Sequence, residues 1–91
     1  MIENRQFYIN GRWVDAQNGT DHAVINPSTE EACATIALGG QADTDAAVAA
    51  AKSAFPAWAA TPPEERIAYL EKIIEAYKAR AEDMAQAISR E

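Results

Sequence analysis

The sequence of 91 residues contains one cysteine, Cys33, and one histidine, His22. A single thiol excludes an internal disulfide framework and a cysteine-based zinc cage. It points to a reducing cytoplasm as the compartment. One histidine cannot build a metal site with the scattered acids of this chain, so no metal ligand is assigned. Positive charge is scarce as well: eight Lys and Arg face fourteen Asp and Glu, for a net charge of −6. An acidic chain with no run of Lys and Arg repels a phosphate backbone, which excludes nucleic acid as a partner. No stretch approaches the ~18 apolar residues of a membrane span. Met1 to Gln6 is polar and lacks the apolar centre of a secretory signal. Without such a signal, the glycosylation pattern Asn18-Gly19-Thr20 reads as a plain loop. There is no Gly-x-Gly-x-x-Gly and no Gly-Lys-Ser/Thr, so the chain has no nucleotide phosphate cradle of its own.

Large apolar side chains are also few. Hydrophobic residues make up 48% of the chain, but 21 of them are alanine. Val, Ile, Leu and Phe number 15, below the roughly 20% under which a highly charged chain looks disordered. Alanine favours helices because it loses no side-chain entropy there. It contributes little buried area. Such a chain is expected not to stand alone.

What is present divides near Gly39-Gly40. Residues 1–40 read as strands and turns. Phe7-Tyr8-Ile9 and Arg12-Trp13-Val14 flank Asn10-Gly11, which tolerates the positive φ values of a hairpin turn. Asn18-Gly19 marks a loop. His22 to Asn26 reads as a short strand stopped by Pro27, and Pro27-Ser28-Thr29-Glu30 as a turn. From Ala32 to Leu38, the side chains of Ala32, Ala34, Ile36 and Leu38 share one face, with Cys33 and Thr35 on the other. This strand is expected to pair with the one holding Val24.

Residues 41–91 read as helical. Asp43 or Thr44 is expected to cap the first helix, with Asp45 at the positive end of its dipole. Val48, Ala51 and Phe55 share one face. Pro56 should end or kink this helix and leave Trp58 in a connection. Thr61-Pro62-Pro63-Glu64 reads as a capping box with proline at the first helical position. Behind it Ile67, Leu70, Ile74 and Tyr77 recur at helical spacing, widened by Ile73. Glu65, Lys72, Glu75 and Lys78 lie opposite. A break near Arg80-Ala81, with Glu82 and Asp83 opening a third helix, keeps the helices to ordinary length. Ala87-Ile88-Ser89-Arg90-Glu91 reads as mid-helix with no Gly, Asn or Pro to close it. The pattern predicts the beginning of a longer protein.

Catalysis needs groups that converge. Cys33 lies mid-strand among Ala and Thr, away from any base or helix N-terminus that would activate it, and reads as a small filler. His22 reads as a polar strand-edge residue. Glu30-Glu31, Glu64-Glu65 and Glu82-Asp83 suit a turn and two helix starts better than an acid–base dyad. Trp13, Trp58, Tyr8, Tyr69 and Tyr77 fit hairpin and core packing. No catalytic, cofactor-binding or metal-binding residue is assigned.

The order of these features is more specific than any one of them. Phe7-Tyr8-Ile9-Asn10-Gly11-Arg12-Trp13-Val14 precedes Val24-Ile25-Asn26-Pro27-Ser28-Thr29-Glu30-Glu31. Ile36-Ala37 follows, then Asp45 to Phe55, Trp58, Pro62 to Arg66 and the amphipathic helix. From about Phe7 to Glu91 the chain resembles the N-terminal segment of the NAD(P)-dependent aldehyde dehydrogenase superfamily. The resemblance implies an α/β parent protein, of which this chain is an α+β piece: two β-hairpins followed by two or three helices. Residues 1–40 and 41–91 would both belong to one incomplete cofactor-binding domain. It further implies oxidation of an aldehyde to a carboxylic acid with NAD or NADP, neither bound by this chain alone. The implied partners are the remainder of the same polypeptide, the aldehyde, and further copies in a homo-oligomer.

The family's cysteine nucleophile, glutamate base and oxyanion asparagine lie beyond the segment, so Cys33 and Glu91 do not match them. Some members hold a structural monovalent cation near the positions of Val24-Ile25 and Glu91. The other reading of the residues is an autonomous helix-hairpin interaction module offering its Ile67-Leu70-Ile74 stripe to a partner.

Overall fold

The computed structural model describes residues 1–91. Five strands precede three helices: β1 (Ile2–Asn4), β2 (Gln6–Ile9), β3 (Arg12–Asp15), β4 (Thr20–Asn26), β5 (Glu31–Leu38), α1 (Gln41–Ala59), α2 (Pro63–Ala79) and α3 (Ala81–Arg90). The fold is α+β. The strands form a separate β2–β3 hairpin and a three-stranded sheet in the order β1-β5-β4.

The β2–β3 hairpin pairs Phe7 with Val14 and Tyr8 with Trp13. Asn10 and Gly11 have φ of 54° and 77°, the two positive values a type I′ turn requires. Tyr8 and Trp13 meet across the outer face, ring centroids 5.2 Å apart and planes tilted by 57°. Phe7, Ile9 and Val14 are half-buried on the other face, which lies over Ala46, Ala47, Ala49 and Ala50 of α1.

β4 runs antiparallel to β5, joined by a turn over Pro27–Glu30. The Asn26 side chain accepts from Ser28 N–H at 2.9 Å, and its carbonyl accepts from Glu30 N–H at 2.8 Å. Val24 pairs with Ala34 but Ile25 pairs with Ala32. Cys33 is therefore the extra residue of a β-bulge, and the expected strict alternation from Ala32 to Leu38 does not run through it. Cys33 to Ala37 are all half-buried, because β5 is the central strand.

β1 has no counterpart among the sequence expectations. It adds parallel to β5, with Ile2 opposite Ala34 and Asn4 opposite Ile36. Arg5, just after it, forks onto Asp21 of β4 at 3.0 and 3.2 Å and touches Glu3 at 3.0 Å. The Asp21 hydrogen bonds, then the Glu3 contact, raise the Arg5 pKa above its ordinary value. The guanidinium thus ties the end of β1 to the far strand of the sheet as a fixed cation.

The helix starts differ from expectation. α1 is capped by Gly40, in extended conformation, rather than by Asp43 or Thr44. Asp43 sits three residues inside and reaches back, its carboxylate accepting from Gly40 N–H at 3.2 Å. That is one half of a capping box. Glycine has no side chain to supply the other half. Pro56 does not end α1, and Trp58 lies within the helix. The proline removes one amide donor three residues before the helix ends. The alanine-rich run ahead of it has the highest helix propensity available, and Ala60 N–H still closes on the Pro56 carbonyl at 3.2 Å.

Thr61 does not cap α2. Its hydroxyl donates backwards to the Ala57 carbonyl at 3.1 Å, satisfying an end of α1. Pro62 takes the cap position, and Pro63 opens α2. The break between α2 and α3 falls at Arg80, where φ is −121° and ψ 18°.

No apolar residue is buried, and Asp43, 6% exposed, is the only buried residue of any kind. The accessible surface is 7381 Å², against about 5,200 Å² for a compact monomer of this mass. The radius of gyration is 16.8 Å, where a compact chain of this length has about 12 Å. The molecule is a slab of 48 × 34 × 16 Å, and the C-terminal end of α3 returns to the three-stranded sheet at Cys33.

Candidate functional site

Three places could carry chemistry or recognition: the bulge at Cys33, the buried carboxylate of Asp43, and the open faces of the helices. At the bulge, the Cys33 thiol lies 3.4 Å from the Val24 carbonyl and 3.7 Å from the Arg90 carbonyl. It has one proton and can donate to one of them at a time. Its hydrogen-bonding neighbours are acceptors, so neither is a base that would draw off the proton and make a nucleophile.

Val24, Cys33, Arg90 and Glu91 share the wall of a cavity of about 140 Å³. The fold thus brings together the positions at which the resemblance implies a structural cation. The wall offers the Val24 and Arg90 carbonyls, both within reach of the thiol, with Asn4 and Glu91 beside them. No group of three or more His, Cys, Asp and Glu side chains gathers anywhere in the chain.

The acidic pairs are dispersed. Glu30-Glu31 lies at the β4–β5 turn, Glu64-Glu65 in the first turn of α2, and Glu82-Asp83 in the first turn of α3. All six are exposed. Gln86 donates to Glu82 at 3.0 Å and Arg80 pairs with Asp83 at 3.2 Å. These contacts and the helix-start positions suit stabilisation of helix ends. His22 is exposed on β4, opposite Ile36.

Asp43 does more than the cap role its sequence position suggests. Its second oxygen accepts from Gln17 N–H at 2.8 Å, so one carboxylate joins the start of α1 to the loop after β3. An acid three residues after Gly40 is the available sequence signal for the near half of this arrangement. The partner at Gln17 lies 26 residues away and leaves no local mark. Gly19, in the same loop, is required by close approach: a Cβ there would lie 2.6 Å from that of Ala16 and 3.1 Å from the Leu38 carbonyl.

The helix faces are the largest feature. Ile67, Leu70, Ile73, Ile74 and Tyr77 of α2 are all exposed, as are Met84 and Ile88 of α3 and Val48, Phe55 and Trp58 of α1. Trp58 meets Tyr69 at 5.6 Å between centroids. Lys72 stands over the Tyr69 ring at 5.6 Å, and Lys78 pairs with Glu75 at 3.3 Å. Glu65, Lys72 and Glu75 lie opposite the apolar stripe of α2, while Arg66 falls within it one turn before Leu70. Exposed apolar area on this scale marks an interaction surface rather than a reaction centre.

Comparison with known proteins gives a consistent picture. The family model described as aldehyde dehydrogenase family matches residues 13–91. The 3-succinoylsemialdehyde-pyridine dehydrogenase of a Pseudomonas species is 37% identical over 91 residues, covering all of this chain and 19% of its own. A Staphylococcus aureus protein named for the same family is 44% identical over 91 residues, again with 19% of its length covered. The crystal structure of aldehyde dehydrogenase from Bartonella henselae superposes with a TM-score of 0.97 and 52% identity, over 99% of this chain and 19% of that one. The chain spans about one fifth of the length of the relatives it matches.

Proposed function

The chain belongs to the aldehyde dehydrogenase family, and on that premise we propose that it is the N-terminal structural segment of a longer oxidoreductase. That protein oxidises an aldehyde to a carboxylic acid with NAD or NADP, and this segment holds no active site. One observation carries the reading. The chain matches a solved aldehyde dehydrogenase at a TM-score of 0.97, yet it buries no apolar residue. Its faces are shaped for protein that lies outside its 91 residues.

In this reading residues 1–40 and 41–91 are two parts of one cofactor-binding domain completed by the rest of the polypeptide. NAD or NADP, when bound there, supplies the hydride acceptor. The part played by this chain is mechanical. Asp43 and the Arg5–Asp21 fork fix the sheets and α1, and α2 and α3 present an apolar side for burial. Catalytic, cofactor-binding and metal-binding residues all lie outside it. The whole protein works as a homo-oligomer in the cytoplasm, a reducing compartment that the free Cys33 thiol suits. An autonomous interaction module would need a core of its own, and the exposed side chains give no support to one.

The test is an assay for NAD- or NADP-dependent aldehyde oxidation, followed as reduced cofactor. The 91-residue chain is expected to give no turnover, and the chain extended by the downstream residues is expected to give it. Turnover by the pure 91-residue chain overturns the reading.

A further inference from the structure

We propose that Asn10 is a deamidation site, opened by fraying of the β2–β3 turn, and that the second Asn-Gly pair, Asn18-Gly19, is protected from the same reaction by packing. The sequence holds Asn-Gly at these two places and nowhere else.

The chemistry belongs to the dipeptide. The Gly11 amide nitrogen, having given its proton to water, attacks Cγ of Asn10. A C–N bond forms, the Cγ–Nδ2 bond breaks, and ammonia leaves with the proton. The product is a cyclic succinimide. Water then adds to one of its two carbonyls. Opening at Cγ leaves aspartate, and opening at the main-chain carbonyl leaves isoaspartate. Glycine favours the step because no Cβ crowds its nitrogen.

The folded chain holds both asparagines away from it. Their φ values are 54° and 55°, and the left-handed region open to a residue with a side chain has ψ of about +50°. There the following nitrogen lies anti to Cβ, out of reach of Cγ. Reaction waits for the asparagine to leave that conformation, so its rate follows local opening.

The surroundings decide which pair opens. Asn10 and Gly11 are exposed, and a Cβ at Gly11 would meet nothing within 4 Å. Their turn is closed by the Ile9–Arg12 pair of a separate two-stranded hairpin, a type of ribbon that is only marginally stable. Gly19 is the reverse. A Cβ there would lie 2.6 Å from that of Ala16 and 3.1 Å from the Leu38 carbonyl. Asp43 holds Gln17 N–H at 2.8 Å on one side, and Thr20 pairs with Leu38 on the other. Turning Asn18 over has to carry Gly19 through these neighbours.

Isoaspartate routes the main chain through Cβ and Cγ, one atom longer. A two-residue turn lengthened in this way no longer joins Ile9 to Arg12 in register, and Tyr8 parts from Trp13. Either product adds one negative charge to a chain already at −6.

The experiment incubates the 91-residue chain in neutral buffer, with and without urea, and follows both asparagines by peptide mapping and by methyl labelling with a protein-isoaspartate methyltransferase. Relative to urea, native buffer is expected to slow Asn18 roughly tenfold more than Asn10. Asn10→Gln should remove most of the native label. Asp43→Ala, which frees Gln17, should speed Asn18 and leave Asn10 unchanged. Equal slowing of the two asparagines, or greater slowing of Asn10, overturns the proposal. An Asn18 rate that does not respond to Asp43→Ala overturns the protection assigned to its loop.

Discussion

At the scale of the residue, the single buried side chain is a carboxylate. Asp43 accepts from Gln17 N–H and Gly40 N–H, two amides with no other partner among the hydrogen bonds of the loop and cap. Removing it leaves both donors to water, since Gln17 and Gly40 are exposed, and costs the net worth of the two hydrogen bonds, about 0.5–1.5 kcal/mol each. Asp43→Ala is therefore expected to lower the melting temperature of the protein that carries this segment, with loss of amide protection at Gln17 and Gly40 in hydrogen exchange. Asp43→Asn can accept on one side only and should fall between the two. Retained protection at both amides in Asp43→Ala would refute the assignment. Glu30 shows the opposite situation. Its φ of 59° is a left-handed conformation that disfavours a side chain by roughly 1–2 kcal/mol, held in place by the Asn26 turn.

At the scale of the element, α1 carries an avoidable defect. Pro56 lacks the amide that would close on the Lys52 carbonyl, and an interior proline costs about 3 kcal/mol. Pro56→Ala is expected to raise the helical circular dichroism of the 91-residue chain, with the gain confined to the C-terminal half of α1. An unchanged or lower signal would mean that the ring is held by a contact worth more than the lost bond. The same element shows what can be read in advance. The hairpin at Asn10-Gly11, the β4–β5 pair and the break at Arg80 follow from local turn chemistry and periodicity, which act within a few residues. Pro56, Thr61 and the Gly40 cap depart from expectation because each depends on a balance between neighbouring preferences. At Thr61 one hydroxyl could serve either the helix behind it or the one ahead, and it serves Ala57. β1 and the Gln17–Asp43 bond depend on contacts 26 residues or more apart, for which a single sequence carries no local signal. The apolar stripe from Ile67 to Tyr77 is legible directly, since its period is that of the helix itself.

At the scale of the whole molecule, an exposed surface of 7381 Å² with no buried apolar residue has a thermodynamic signature. Cooperative unfolding depends on a shared core, and its denaturant slope grows with the surface released. The isolated 91-residue chain is expected to show a broad thermal transition without a sharp midpoint, and to bind the dye ANS as exposed apolar states do. A steep two-state transition of a monomer with no dye binding would mean that the chain closes a core by itself. The topology also bears on how the chain is made. β1 is made before its pairing partner at Ala34 to Ile36, which is translated some thirty residues later. At roughly 5–20 residues per second, that interval lasts about 2–6 s. Throughout it the strand is a solitary edge, the feature that invites wrong partners during synthesis. It spans only three residues, Ile2–Asn4, two of them polar, and short length and charge are the features that blunt an edge strand.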